Sequence, residues 1–181
     1  MIHNIDIKNT AIEAIELEAR SVQNLVSSIN EDFLSVVDKI LSLNGRVIVT
    51  GIGKSAIIAQ KMVATFNSTG TPAIYMHAAD AIHGDLGIIQ ANDLIIAISK
   101  SGNTPEIKVL VPFLKQNNNI LVGMVGNTGS YLALQADYIL DTTVEREACP
   151  NNLAPTSSTT AQLAMGDAIA VCLQKARQFS D

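Results

Sequence analysis

Three short segments gather the residues able to bind an anion and move protons. The first, GIGKS (Gly51 to Ser55), follows a short apolar run and opens a helical pattern. Its glycines let the backbone turn tightly against a ligand, and Lys54 brings a cation to a helix N-terminus. A lysine there opposes the macrodipole, so solvation alone explains it poorly. A Walker loop would need glycine at position 48, where Ile48 stands. Gly51, Gly53 and Ala56 satisfy the loose dinucleotide pattern, but Met76 and His77 occupy the place of the acid that a ribose would require.

The second segment, SKSGNTPE (Ser99 to Glu106), sets the hydroxyls of Ser99, Ser101 and Thr104 around Gly102, and Thr104-Pro105 form an N-cap and first-turn pair. Hydroxyls and exposed N–H groups at a helix start cradle phosphate without a metal, whereas an ordinary capped turn needs only one hydroxyl. Glu106 falls in the first helical turn, where a carboxylate either favours the dipole or does chemistry. The third segment, VEREACPNNLAPTSSTT (Val144 to Thr160), puts Glu145 and Glu147 in a polar loop and enters the last helix through the hydroxyl run Thr156 to Thr160. Such a start suits an anion, although N-capping would account for part of it. HAADAIHGDLG (His77 to Gly87) adds two histidines with no third clustered ligand, a poor metal site by itself.

The elements that must position these loops follow from the rest of the chain. Its 181 residues fit one domain, and 48% hydrophobic against 16% charged residues predicts a large interior. Aromatic residues make up only 4%, with no Trp, and the net charge is −5 without a basic run, which argues against a nucleic-acid partner. Cys149 and Cys172 match no metal-finger or CxxC spacing, and no apolar stretch resembles a signal core or a membrane span. The expectation is a soluble cytoplasmic protein with free thiols and no membrane partner.

Apolar positions Ile12, Ile15, Ala19, Val22, Val26 and Ile29 step by three and four, an amphipathic stripe that wants a partner. A second helical pattern runs from Phe33 to Leu43 behind the cap candidates Asn30 and Asp32, so residues 1–45 read as a helical pair. Residues 46–181 alternate aliphatic runs (47–51, 73–77, 94–99, 120–126 and 138–142) with helical segments (55–67, 105–116, 129–136 and 156–179). The runs are continuous, as in strands buried on both faces. This alternation predicts one α/β domain with right-handed crossovers in a parallel sheet, and ligands beyond the carboxyl ends of its strands.

Together GIGKS, FNSTGTPA from Phe66, HAADAIHGDLG, SKSGNTPE and EREACPNNLAPTSSTTAQLAMGDA from Glu145 resemble the sugar isomerase (SIS) domain of the D-arabinose-5-phosphate isomerases, over about Ile12 to Phe179. Ser99-x-Ser101-Gly102-x-Thr104 is shared by SIS domains at large, non-enzymatic regulators included; GIGKS, HGDLG and EREACPNNLAPTSST are narrower. The resemblance implies a three-layer αβα sandwich with a five-stranded parallel sheet, a homotetramer, and interconversion of D-ribulose 5-phosphate and D-arabinose 5-phosphate for synthesis of the lipopolysaccharide acid Kdo. It places the catalytic lysine on Lys54 and the catalytic glutamates on Glu106 and Glu147. Substrate contacts fall on Gly70, Thr71 and His83, and His77 matches a position able to bind an inhibitory zinc ion. No cofactor or metal is required by the chemistry.

With the hydroxyl-rich loops added, the expected substrate-binding set is Ser55, Gly70, Thr71, His83, Ser99, Ser101, Thr104, Ser157, Ser158 and Thr159. The expected division of labour makes Glu147 the carbon base, with Glu106 and Lys54 serving the sugar oxygens. Relatives carry a further catalytic histidine just past the last helix and then a pair of CBS modules, whereas this chain ends at Asp181. A sugar-phosphate-sensing SIS module without catalysis is therefore the alternative expectation.

Overall fold

The computed structural model describes residues 6–116 and 118–178. In chain order its elements are α1 (Ile7–Asn24), α2 (Glu31–Leu41), β1 (Val47–Gly51), α3 (Lys54–Ser68), β2 (Ala73–His77), α4 (Ala78–Ile82), β3 (Leu94–Ser99), α5 (Pro105–Leu114), β4 (Ile120–Val125), α6 (Tyr131–Gln135), β5 (Tyr138–Asp141) and α7 (Ser157–Ala176). The strands form one parallel sheet in the order β2-β1-β3-β4-β5. Every residue of β1 and β3 is buried, as their unbroken aliphatic runs require. On one face Val49, Ile96 and Val122 share a core with Met62 and Phe66 of α3 and Ile169 of α7. On the other, Ile48, Ile95 and Leu121 share one with Ala81 of α4, Leu110 of α5 and Leu132 of α6. This is the expected three-layer αβα sandwich.

Strand order reverses between β1 and β3, so the loops after Gly51 and Ser99 diverge to opposite faces and leave a crevice at the carboxyl edge. At the amino edge the buried Asp93 carboxylate accepts from Arg46 N and Gln90 N, both at 2.8 Å, and from Arg46 Nη2 at 2.7 Å. That clamp ties the starts of β1 and β3 together, away from the crevice.

The helices differ from expectation where caps, rather than periodicity, decide. α1 starts behind Asp6, whose carboxylate accepts from Asn9 N at 3.0 Å, earlier than the first apolar residue of the predicted stripe. Its inward face is Leu17, Ser21 and, in the following 3-10 turn, Leu25. The predicted stripe that wants a partner points outward, with Ile15 70% and Val26 68% exposed. α4 escaped periodicity because five residues are too short to show a helical repeat. The last helix stops at Ala176, and Phe179 lies outside the described residues.

α2 is held at both ends of its first turn. The Asn30 side chain accepts from Asp32 N and Phe33 N, and Asp32 Oδ2 accepts from Ile139 N of β5 at 2.9 Å, pinning the helix to the sheet edge. Asn30→Ala is expected to cost about 1 kcal/mol, read as a lowered urea midpoint at unchanged slope, because two N–H groups lose their acceptor. No helix among the described residues is long and apolar enough to cross a membrane, and Cys149 and Cys172 are free.

Candidate active site

The loop after β1 is shaped by Gly53, which caps α3 with φ +60 and ψ −129, a combination open to glycine and hardly to other residues. It delivers Lys54 as the first residue of α3 and Ser55 as the second. Ser55 Oγ donates to Gln162 Oε1 of α7 at 3.2 Å, which ties the two helix starts together.

The loop after β3 is stitched from within. The buried Ser99 hydroxyl lies 2.8 Å from Thr104 Oγ1 and accepts from Gly102 N at 3.1 Å, while exposed Ser101 accepts from Asn103 N. Thr104 precedes α5 without capping it through its side chain, so the first N–H groups of that helix retain their capacity for an anion. Between these two loops lies a cavity of about 220 Å³, walled by Lys54 and Ser55 on one side, Ser99 to Ser101 and Thr104 on the other, and Pro155 above.

Behind Lys100 sits Glu147, fully buried. Its Oε1 receives Lys100 Nζ at 2.6 Å and the Ser158 hydroxyl at 2.5 Å. Its Oε2 receives Thr156 N at 2.8 Å, Ser158 N at 3.1 Å and the Thr156 hydroxyl at 3.1 Å. Glu147 thus supplies the cap that Thr156 does not, placing a carboxylate at the positive end of α7. Burial pushes this carboxyl up, but Lys100, the Ser158 hydroxyl and the two backbone donors outweigh it and lower it from 4.5 to about 2.

The structure therefore joins Lys54, Ser55, Ser99, Ser101 and Thr104 around one cavity and backs it with Glu147. Glu106, in the first turn of α5, is half-buried and outside the cavity wall. His83 follows α4 as an exposed residue, and His77 lies 3.6 Å from Asp80. No three potential ligands cluster among the described residues, so His77 has one carboxylate beside it and no more.

Besides His83, five of the expected substrate contacts lie outside the wall of this cavity. Gly70 and Thr71 precede β2 at the amino edge of the sheet, where the Gly70 carbonyl and the Thr71 hydroxyl both accept from Arg177. Their polar groups hold the end of α7 rather than join the cavity. Ser157 and Ser158 are buried, and the Ser158 hydroxyl is spent on Glu147. Thr159 donates back to the Thr156 carbonyl, so part of the hydroxyl run at the start of α7 is engaged within the chain. Sequence reasoning passed over Lys100, although a cation between the two serines of a phosphate-type loop was the signal. A cavity of about 260 Å³ at the amino edge offers less chemistry, because its one carboxylate, Asp93, is held by Arg46.

Residues 40–172 match the family model described as SIS domain. The chain belongs to the SIS domain family. This SIS domain is 45% identical over 180 residues to arabinose 5-phosphate isomerase KdsD of Pseudomonas aeruginosa, covering 99% of this chain and 55% of that protein. It is 47% identical over 176 residues to the enzyme of the same name from Francisella tularensis, covering 96% and 54% respectively. The chain spans about half the length of the curated relatives it matches. Among solved structures, an E. coli CFT073 protein in complex with arabinose 5-phosphate superposes with a TM-score of 0.93 at 36% identity, over 99% of this chain and 95% of that one.

Proposed function

We propose that this SIS domain is an aldose–ketose isomerase that interconverts D-ribulose 5-phosphate and D-arabinose 5-phosphate, a reaction that would supply Kdo synthesis. The observation that carries the reading is one crevice walled by Lys54, Lys100 and the hydroxyl loop at α5, with Lys100 bonded to the buried Glu147 behind it. The names of its relatives and the arabinose 5-phosphate bound by the E. coli protein support the choice of sugar.

The phosphate sits at the start of α5 with Ser101 and Thr104, where N–H groups and the helix dipole favour an anion. Glu147, ionised at neutral pH, removes a proton from C1 of ribulose 5-phosphate, and the electron pair forms a 1,2-enediolate. The proton returns at C2, while Glu106 passes a proton between O1 and O2 and Lys54 offsets the enediolate charge. Nothing is oxidised overall, and the steps use no metal or cofactor.

The test is incubation with ribulose 5-phosphate in deuterated water, following arabinose 5-phosphate and deuterium at C2. Substrate binding without turnover or exchange would install the sensing module in place of the isomerase. Lys54→Met is expected to lower kcat about 10²- to 10³-fold with a smaller rise in KM, because its charge is needed most when the enediolate forms. A rise in KM alone would make Lys54 a binding residue. The outward stripe of α1 borders an apolar groove with Ala164 and Ala168 of α7, and we assign that surface to the homotetramer contact. Light scattering of a stable monomer would remove that assignment.

A further inference from the structure

We propose that Lys100 is a positioning residue that couples anion binding in the crevice to the basicity of Glu147. The catalytic consequence rests on the isomerase reading, whereas the coupling itself does not.

The geometry gives Lys100 two audiences. Its Nζ lies 2.6 Å from Glu147 Oε1, yet its side chain is 43% exposed and lines the cavity beside Ser101 and Thr104. An ammonium has three donors, and one bond to the carboxylate leaves two for an anion in the cavity. The backbone beneath is fixed, because the Lys100 carbonyl accepts from Gly126 N at 2.9 Å and the lysine stem passes over Gly126, with no room there for a side chain. The charged head can therefore shift between partners while the loop stays still.

A phosphate dianion on the α5 start competes with the Glu147 carboxylate for that head. As the ammonium is drawn toward the anion, Glu147 loses the strongest of the interactions that keep it ionised and becomes a better proton acceptor. By linkage, protonating Glu147 frees the head and tightens phosphate binding by the same factor. The remaining neighbours cannot substitute. Thr156 and Ser158 offer neutral hydroxyls and N–H groups, Cys149 adds an anion's repulsion if ionised, and Lys54 lies across the cavity at the start of α3. Glu145 and Arg146, beside Glu147 in sequence, are exposed.

The test uses the full chain and inorganic phosphate as the probe. The ¹³C side-chain carboxyl resonance of Glu147 is expected to move on phosphate addition in the wild type, to move in Lys100→Arg, and to stay put in Lys100→Met. Phosphate affinity should fall at least about tenfold in Lys100→Met and recover in Lys100→Arg, since a charged donor to an anion is lost and restored. The acid limb of kcat/KM, which reports the free enzyme, should rise by about one pH unit or more in Lys100→Met, while that of kcat moves less because bound substrate has already drawn the lysine away. A Glu147 resonance that ignores phosphate in the wild type overturns the coupling, as does one that responds equally in Lys100→Met. If the wild type turns over no ribulose 5-phosphate, the isomerase reading falls, while the resonance and affinity still decide the role of Lys100. Should Lys100→Met fold poorly, Lys100→Gln and the wild-type titration carry the same decision.

Discussion

Glu147→Gln is expected to abolish deuterium incorporation at C2 and to lower turnover about 10²- to 10⁴-fold, the span that a general base contributes. The same substitution should change the pH dependence of folding, and the two effects can be read separately. In the native state the carboxyl is lowered from 4.5 to about 2, which in free energy is about 3 kcal/mol in favour of the folded protein at neutral pH. Because the folded value lies below the unfolded one, this contribution is complete above pH 4.5 and is lost as pH falls through 4.5 toward 2. Wild-type stability in urea should therefore decline between about pH 5 and about pH 2.5 more steeply than that of Glu147→Gln, whose side chain does not titrate. At pH 7 the variant should already be weaker, since an amide NH₂ would face Lys100, Ser158 or Thr156 donors that need an acceptor. Parallel stability profiles would show that Glu147 is not the group behind acid sensitivity. Retained exchange in Glu147→Gln, with exchange lost in Glu106→Gln, would pass the carbon-base role to Glu106.

The sheet was legible in the sequence because burial on both faces leaves a strand no polar positions, so Val47 to Gly51 and Leu94 to Ser99 stand out as unbroken runs between glycines and polar turns. Once two such strands are parallel neighbours, the crevice follows from connectivity, and the loops GIGKS and SKSGNTPE had to meet there. What composition could not show is which polar groups are already spent. Five hydroxyl residues in a row at the start of α7 look alike in sequence, yet Ser158 serves Glu147, Thr159 serves the Thr156 carbonyl and Thr160 serves Glu18. The pairings of Thr160 and Ser158 depend on a contact more than a hundred residues apart and on a loop that folds back, and neither leaves a periodic trace. The same limit hid Lys100, whose partner comes from the loop after β5. The place of Gly70 and Thr71 was hidden for a different reason, since likeness of motif does not say at which edge of the sheet a residue lies.

The largest structural effect is expected at Gly102, whose φ of +61 and crowded surroundings make two separate demands. A Cβ there would lie 1.9 Å from Ser130 Oγ and 2.5 Å from Ser130 Cβ, distances that real atoms do not tolerate. Its carbonyl meanwhile accepts from Leu132 N at 3.0 Å, so the turn cannot back away without breaking its bond to α6. Gly102→Ala should cost about 2–5 kcal/mol, of which about 1–2 is the left-handed backbone and the rest overpacking. Adding Ser130→Gly removes both clashing atoms, leaving Val125 Cγ1 at 3.5 Å as an ordinary contact. It weakens the Ser130 cap of α6, worth only a few tenths of a kcal/mol when glycine replaces serine. The double variant should therefore be more stable than Gly102→Ala alone, with a coupling of about 1–3 kcal/mol in a double-mutant cycle. Strictly additive values would exclude the clash and leave backbone strain as the whole effect. Because Gly102 N donates to the Ser99 hydroxyl, relief of the clash should also restore the seat of Ser99, Ser101 and Thr104. Recovery of phosphate affinity together with stability would show that α6 packing, though outside the cavity, sets the shape of the anion loop.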